Sequence, residues 1–503
     1  MTTAMKYAVY QIKTAFLFFV LCSVNFSCQD FLTENPQNTV SQTNYYKTEQ
    51  DAIAAVNAIY SYLGSYNLDF AGPFPGNTAG AYHSTFWITA DLASDNMKNN
   101  QLGAIYNDQL ATFSYNSDNA NLLEIWRIHY KIIYLANIAV NRIPGIAMNA
   151  ATRDRLVNEA KFLRGLMYFN LVRMFGKVPL LIGESNPLEP ASATPDAVYA
   201  QIMQDLKDAS NLPKDGQIQE GRATQGAAQA LLAKVYLTRK DFTNASAEAK
   251  KVIDSNVYSL WTSYADAFKL SSRGGKEAIF SVGFGDGGGT ISFWEVGQFN
   301  VRLLPVELST ARDKVNNTQG WQTVTKDLYN SYLPNDARKA ATYMTSFTGD
   351  DGKVVTLSNI YIKKYWDEAA DPTAGGSTND FPVIRYADVL LMYAEAQAEL
   401  GNFPAANEYL NKVKTRAGLT PVTINAIAAF RDAVLDERRK EFIGEGQRWF
   451  DLVRMNKLGD RVHKAKDTEY TTPIPVLSEN YQVFPIPQQE RDVNPNLPQN
   501  PGF

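Results

Sequence analysis

The sequence predicts a mostly α fold: a tetratricopeptide-type helical-repeat scaffold with long loop-rich insertions and a few short strands. Three observations carry that prediction. Helical periodicity recurs in pairs, at 51–63, 122–142, 153–175, 195–210, 223–239 and 242–255. Residues 223–255 can be laid on residues 386–416 at one constant offset, which matches Ala233 to Ala394, Phe242 to Phe403, Ala245 to Ala406 and Val252 to Val413. In a tetratricopeptide unit these are the small residue of the first helix, the aromatic after the turn and two packing positions of the second helix. The third observation is compositional: the stretches at about 64–120 and 271–380 break the helical pattern with Gly-, Asn- and aromatic-rich sequence. Two matching units so far apart imply an array into which other material has been inserted.

Taken in order, the chain opens with Lys6 and Lys13 around the start of a short apolar run, 15–21, followed by small and polar residues up to Ser27 and Cys28. That is the layout of an export signal, and the apolar centre is too short to span a bilayer. The two cysteines, Cys22 and Cys28, both fall in this segment. A cysteine just after the apolar run suits lipoprotein processing, with residues 1–27 removed and Cys28 acylated. An ordinary signal peptide with an incidental cysteine is the alternative. Residues 28–503 then form a single domain, begun by a polar tether.

Within that domain Ala228, Leu231, Leu232 and Val235 have the i, i+3, i+4, i+7 spacing of one buried helical stripe. The string at 276–290 reads as a strand followed by a flexible loop. Residues 381–419 read as two antiparallel helices joined by a turn at Gly401 and Asn402. Asp388, Leu391, Met392 and Glu395 share one face of the first helix; Val389, Tyr393, Ala396 and Leu400 share another. A pair that is partly apolar on both sides cannot complete its own burial and needs neighbouring pairs stacked on it. The proline-punctuated end, 483–503, reads as an extended strap along the body.

Composition excludes several functions. With a formal charge of −4 and a pI near 5.7, the chain lacks the basic footprint of a nucleic-acid binder. His83, His129 and His463 stand far apart and outside any zinc-ligand pattern, so no metal or cofactor is expected. No G-x-S-x-G elbow occurs, and the glycine run at 283–289 lacks the Gly-Lys-Ser/Thr of a phosphate loop. Asp91 and Asp95 would share a helical face, and Asp350 and Asp351 share a turn. A glycosidase needs two carboxyl groups at a defined separation, whereas capping and solvation are the ordinary uses of such residues. The block at 436–454 interleaves Glu437 and Glu441 with Arg438, Arg439 and Arg448. It can build either an anion site or, more in keeping with its alternating signs, a network of structural ion pairs.

Four stretches, 158–180, 384–401, 435–454 and 484–503, resemble the SusD/RagB outer-membrane lipoproteins of the Bacteroidetes, in that family's order and over nearly the whole exported chain. The resemblance implies a non-enzymatic, lipid-anchored protein on the cell surface, built on four tetratricopeptide units. It implies a partner, a SusC-like TonB-dependent transporter, on which the protein sits as a lid. A glycan, or for some members a peptide, would be captured and passed to the barrel. The repeat face would meet the transporter and the insertions would hold the ligand, while the shared motifs name no ligand-contact residue.

Sugar chemistry supplies the candidates. Flat aromatic faces stack on the C–H side of a sugar ring, and amides bond its hydroxyls. Trp294 and Trp321 in the second insertion and Tyr82 and Trp87 in the first are the expected platforms, with Asn96 and Asn300 as polar partners. Burial in the core is the competing reading for each, most of all for Trp87 in its apolar string.

Overall fold

The computed structural model describes residues 45–65, 79–217, 219–285, 296–370 and 376–503. The leader, Cys28, the glycine run beyond Gly285 and Trp294 lie outside them. The body, Thr48–Phe503, is helical, with nine helices of 13 residues or more among the described residues: α1 Glu49–Gly64, α2 Ala120–Arg142, α3 Ala150–Phe175, α4 Pro195–Ala209, α5 Gln225–Thr238, α6 Phe242–Asp254, α7 Tyr386–Glu399, α8 Phe403–Arg416 and α9 Ile427–Glu441. Their starts are written locally. Thr48 and Asp51 close a capping box on α1, and the side chains of Asn119, Thr194, Thr224 and Asp241 cap α2, α4, α5 and α6.

From α2 to α8 each helix packs against the next, α1 lies across α2 and α3, and α9 covers α7. The decisive contact is α6 with α7, because these neighbours in space are separated in sequence by the whole second insertion. The matched small residues sit where two axes approach: Ala233 and Ala394 are fully buried, and so are Val252 and Val413. At Gly165, in the interior of the long helix α3, the backbone packs directly against Leu206 on α4, where an added Cβ would meet its side chain at 3.4 Å. Both faces of α7 are buried, including Asp388, Leu391, Val389 and Tyr393. Leu400, expected on an apolar face, is instead 48% exposed, since it stands at the C-cap where the chain leaves for the Gly401 turn.

Among the described residues eight short strands make four two-stranded antiparallel sheets: β1 Met97–Asn99 with β5 Gln322–Val324, β2 Val178–Pro179 with β3 Ser192–Ala193, β4 Ala278–Val282 with β8 Phe381–Arg385, and the hairpin β6 Tyr343–Thr348 with β7 Val354–Ile362. The β1–β5 ladder joins the first insertion to the second. Two local readings change. The start of the 381–419 helix pair is a strand, because Phe381, Pro382 and the β-branched Ile384 pair with β4 and the helix begins only at Tyr386. Thr85–Leu92 in the first insertion is a helix, and all but Thr85 of it is buried. A helix enclosed on every side has no polar stripe and so leaves no periodicity in the sequence.

The C-terminal strap lies along the body as expected, interrupted by one helical stretch at Gln488–Val493. Asn500 donates to the carbonyls of Phe175 and Phe484, and Phe484 donates its own N–H to Met174 at 2.7 Å.

Candidate functional site

The insertions are bolted to the repeat frame by buried charge. Helix α9 carries Glu437, Arg438, Arg439 and Glu441, all buried. Arg438 bonds Asp388 and Asp451, each at 2.7 Å. Arg448 grips Asp95 with two nitrogens, at 2.7 and 2.8 Å, while Arg439 reaches Asp95 at 3.0 Å and Asp327 at 2.6 Å. Asp95 belongs to the first insertion and Asp327 to the second, so one turn of α9 and the residue after Gln447 hold both. From the other side Arg338 meets Glu437 and Glu441 at 2.6 and 3.1 Å, and Arg385 and Lys364 converge on Glu445. Every guanidinium of the 436–454 block considered as an anion site is thus occupied by a carboxylate of the chain, and the block is a structural network.

The electrostatics follow from that crowding. Burial alone would raise the Glu441 carboxyl, but Arg416, Arg385 and Arg338 outweigh it and bring it down to about 2. Asp95 is held well below the usual carboxylate range because Arg439 and Arg448 outweigh the burial that would raise it. Asp91 is different. Burial pushes it up to about 7, against the hydrogen bonds from Asn96 and the Gly446 amide. The Asp91–Asp95 pair suggested by spacing does not share a helical face, since the helix ends at Leu92. Each carboxylate is committed inside the fold.

Four of the six candidate ligand residues are core groups. Trp87 is fully buried, its ring 5.6 Å from that of Phe299 and 6.4 Å from that of Phe381. Tyr82 stacks on Phe381 at 5.3 Å, and its hydroxyl accepts from Asn170 at 2.8 Å. Asn96 donates to Asp91 at 3.1 Å and accepts from Arg439. Asn300 is buried in the short helix Phe299–Leu303. Rings and amides buried in this way offer no surface to a sugar. These residues instead build the aromatic floor on which the two insertions meet.

Trp321 is placed differently. It stands half-buried at the edge of the β1–β5 ladder, where its carbonyl accepts the Asn100 N–H at 2.7 Å. The Arg302 guanidinium lies over its ring, 5.0 Å from the centroid. Around it the end of β1 supplies amides: Asn99 bonds Asp108 at 2.8 Å, Asn100 bonds Thr323 at 3.1 Å, and Gln101 accepts from Asn107 at 2.9 Å. Beyond them Leu102 is 99% exposed. An aromatic edged by amides is the chemistry a sugar requires, and strand pairing across the two insertions assembles it. Asn99, Asn100 and Arg302 were missed by sequence reasoning, because the pairing that brings them to Trp321 is a long-range contact with no local signal.

A concave surface opens beside the β6–β7 hairpin. This groove, about 760 Å³, is walled by Tyr329, Phe347 and Trp366 together with Arg312, Lys339 and Lys363. Of the six only Trp366 stands out in the sequence, as one of the tryptophans in the loops of the second insertion.

Among the described residues no group of three or more His, Cys, Asp or Glu is placed to hold a metal ion, and no helix is long and apolar enough to cross a membrane.

Comparison with known proteins agrees with the geometry. Residues 314–503 match a family profile described as the SusD family, and residues 75–237 match one described as starch-binding, associating with the outer membrane. A SusD-like protein of Formosa agariphila is 28% identical over 94% of this chain and 95% of its own length. A SusD superfamily structure from Parabacteroides distasonis superposes with a TM-score of 0.77 at 25% identity, covering 90% of this chain and 99% of that one. A structure described as a laminarin-binding SusD-like protein superposes with a TM-score of 0.75 at 26% identity, covering 91% of this chain and 100% of that one.

Proposed function

Because this chain belongs to the SusD/RagB family, we propose that it is a non-catalytic glycan-binding protein of the outer membrane. In this reading it is anchored through an acylated Cys28, faces the cell exterior, and delivers oligo- or polysaccharide to a SusC-like TonB-dependent transporter. The observation that carries the reading is the likeness, over the full length of that protein, to one described as laminarin-binding. Trp321 and its rim of amides supply the contact chemistry, with Trp294 as a second platform from the same insertion. Asp91 and Asp95, the carboxylates that a hydrolase reading would use, serve the frame instead, which favours capture over cleavage.

The test is a panel. The purified protein is run by affinity electrophoresis through gels containing laminarin, starch and other neutral polysaccharides, and is separately incubated with a peptide mixture. Retardation in at least one glycan, with no reducing ends released over time, is the expected result. Release of reducing ends would identify an enzyme, and retention of peptides without retardation on any glycan would identify a peptide-capturing lid.

A further inference from the structure

The groove beside the β6–β7 hairpin differs from the Trp321 edge in its charge. Its walls carry five cations, Lys269, Arg312, Lys339, Lys363 and Lys364, and three acids, Asp336, Asp367 and Glu368. The acids are already engaged. Asp336 holds Arg338 at 2.9 Å, Glu368 pairs with Arg312, and Asp367 accepts the backbone N–H groups of Leu270 and Ala370. Three of the cations are likewise paired: Arg312 with Glu368, Lys269 with Asp266 at 2.7 Å, and Lys364 with Glu445 at 2.7 Å. Lys339 and Lys363 remain. Among the described residues neither has a carboxylate partner; Lys339 instead lies over the Tyr329 ring, 4.0 Å from its centroid.

Two ammonium groups without a carboxylate partner thus line one concavity on a chain whose formal charge is −4. General basicity does not account for them. A cleft with low-dielectric walls focuses the field of such charges and concentrates ligands of opposite sign. The other walls are aromatic: Phe347, a buried member of the cluster with Leu304, Leu308, Met344 and Tyr361, and the partly buried Trp366, packed against that cluster. The volume, about 760 Å³, lies within the range of small-ligand sites. Aromatic walls to meet sugar C–H surface, joined to unpaired cations, select a saccharide that carries negative charge.

We propose that this groove is a second glycan site, separate from the Trp321 edge, and that it takes an anionic saccharide bearing uronate carboxylates or sulfate esters. The proposal rests on the glycan-capture reading above and extends it to a ligand class. Lys339 and Lys363 provide the charge-assisted hydrogen bonds to the anionic groups, and Tyr329, Phe347 and Trp366 shape the groove around the ring.

The experiment is titration calorimetry of the full chain with three probes: oligogalacturonides, carrageenan oligosaccharides and neutral laminari-oligosaccharides, each at low and at high salt. The wild type is compared with the double variant Lys339→Gln/Lys363→Gln, whose melting temperature is measured alongside to verify that it folds. Binding of at least one anionic probe is expected, weakened by salt. The double variant should lose about tenfold or more of that affinity, the scale of a lost charge-assisted hydrogen bond, with neutral-glucan binding and melting unchanged. Whether the uronate or the sulfate probe responds identifies the anionic group. Anionic binding that survives the double substitution overturns the groove assignment while leaving glycan capture intact, as does binding of the neutral probe alone. Binding of no saccharide at all removes both.

Discussion

Trp321 and Trp87 are the same residue type in two insertions that touch, and their surroundings give them opposite roles. Trp87 lies in a helix enclosed on every side, with aromatic neighbours on its ring. Trp321 lies at the end of a ladder that stops, with an arginine over its ring and amides beside it. Trp321→Ala is therefore expected to weaken glycan binding by roughly 1–3 kcal/mol, by analogy with bases stacked on aromatic side chains. Its melting temperature should stay within a degree or two of the wild type, since the β1–β5 hydrogen bonds run through the backbone. Calorimetry and a melting curve on the same preparation check both halves; a large melting shift with unchanged affinity would make Trp321 a core residue. The apolar string around Trp87 already hinted at burial in the sequence. The burial of Tyr82, Asn96 and Asn300 was illegible there, because it comes from Phe381, Arg439 and the other insertion's aromatics, far away along the chain.

At the scale of the element, what could be read locally was read well. Helices α1 to α6 and α8 follow from their periodicity to within three residues at each end, because that signal lies inside each helix, whereas α7 begins five residues after the expected start at 381. The enclosed helix Thr85–Leu92 and the strand β8 depend on partners elsewhere and were not visible in the same way. Helix α9 shows how an element can carry its meaning in charge rather than in apolar pattern. Its Glu441 has a folded pKa of about 2 against an ordinary 4.5. A depressed carboxylate pKa means that the folded state binds fewer protons, so the stabilisation is fully present above pH 4.5 and is lost as pH falls from 4.5 towards 2. By the shift alone it is worth on the order of 3 kcal/mol. Glu441→Gln should cost roughly that much at pH 7, because Arg338, Arg385 and Arg416 stay buried with one carboxylate fewer. The difference between variant and wild type should shrink as the pH is lowered through that window. Denaturant unfolding at pH 7, 4 and 3 measures it, and a difference that stays constant with pH would show that Glu441 acts through shape instead of charge.

For the whole molecule, the repeat array is a frame and the insertions are fastened onto it. The contact of α6 with α7 lets the chain leave the array for the second insertion and return without a break in the stack. Aromatic floor and ion pairs then fix both insertions to α9. That division of labour explains why the sequence declared its frame openly and the candidate site at Trp321 hardly at all: repeats are local and redundant, whereas the surroundings of Trp321 are assembled once, by distant strands. It also bears on where the molecule sits. Among the described residues no helix is long and apolar enough to cross a bilayer, and the attachment proposed here runs through the N-terminal cysteine. Each acyl methylene buried in the membrane contributes about 0.8 kcal/mol, and stable anchoring takes more than one chain or signal, as a lipid-modified N-terminal cysteine would supply. Cys28→Ala, expressed in the native membrane background, is accordingly expected to move the protein from the membrane pellet to the soluble or secreted fraction. The folded body, which begins its first helix only at Glu49, should keep its melting temperature and its glycan affinity. If the variant pellets as the wild type does, attachment runs through the transporter or another protein surface, and the anchor assignment falls while the capture function stands.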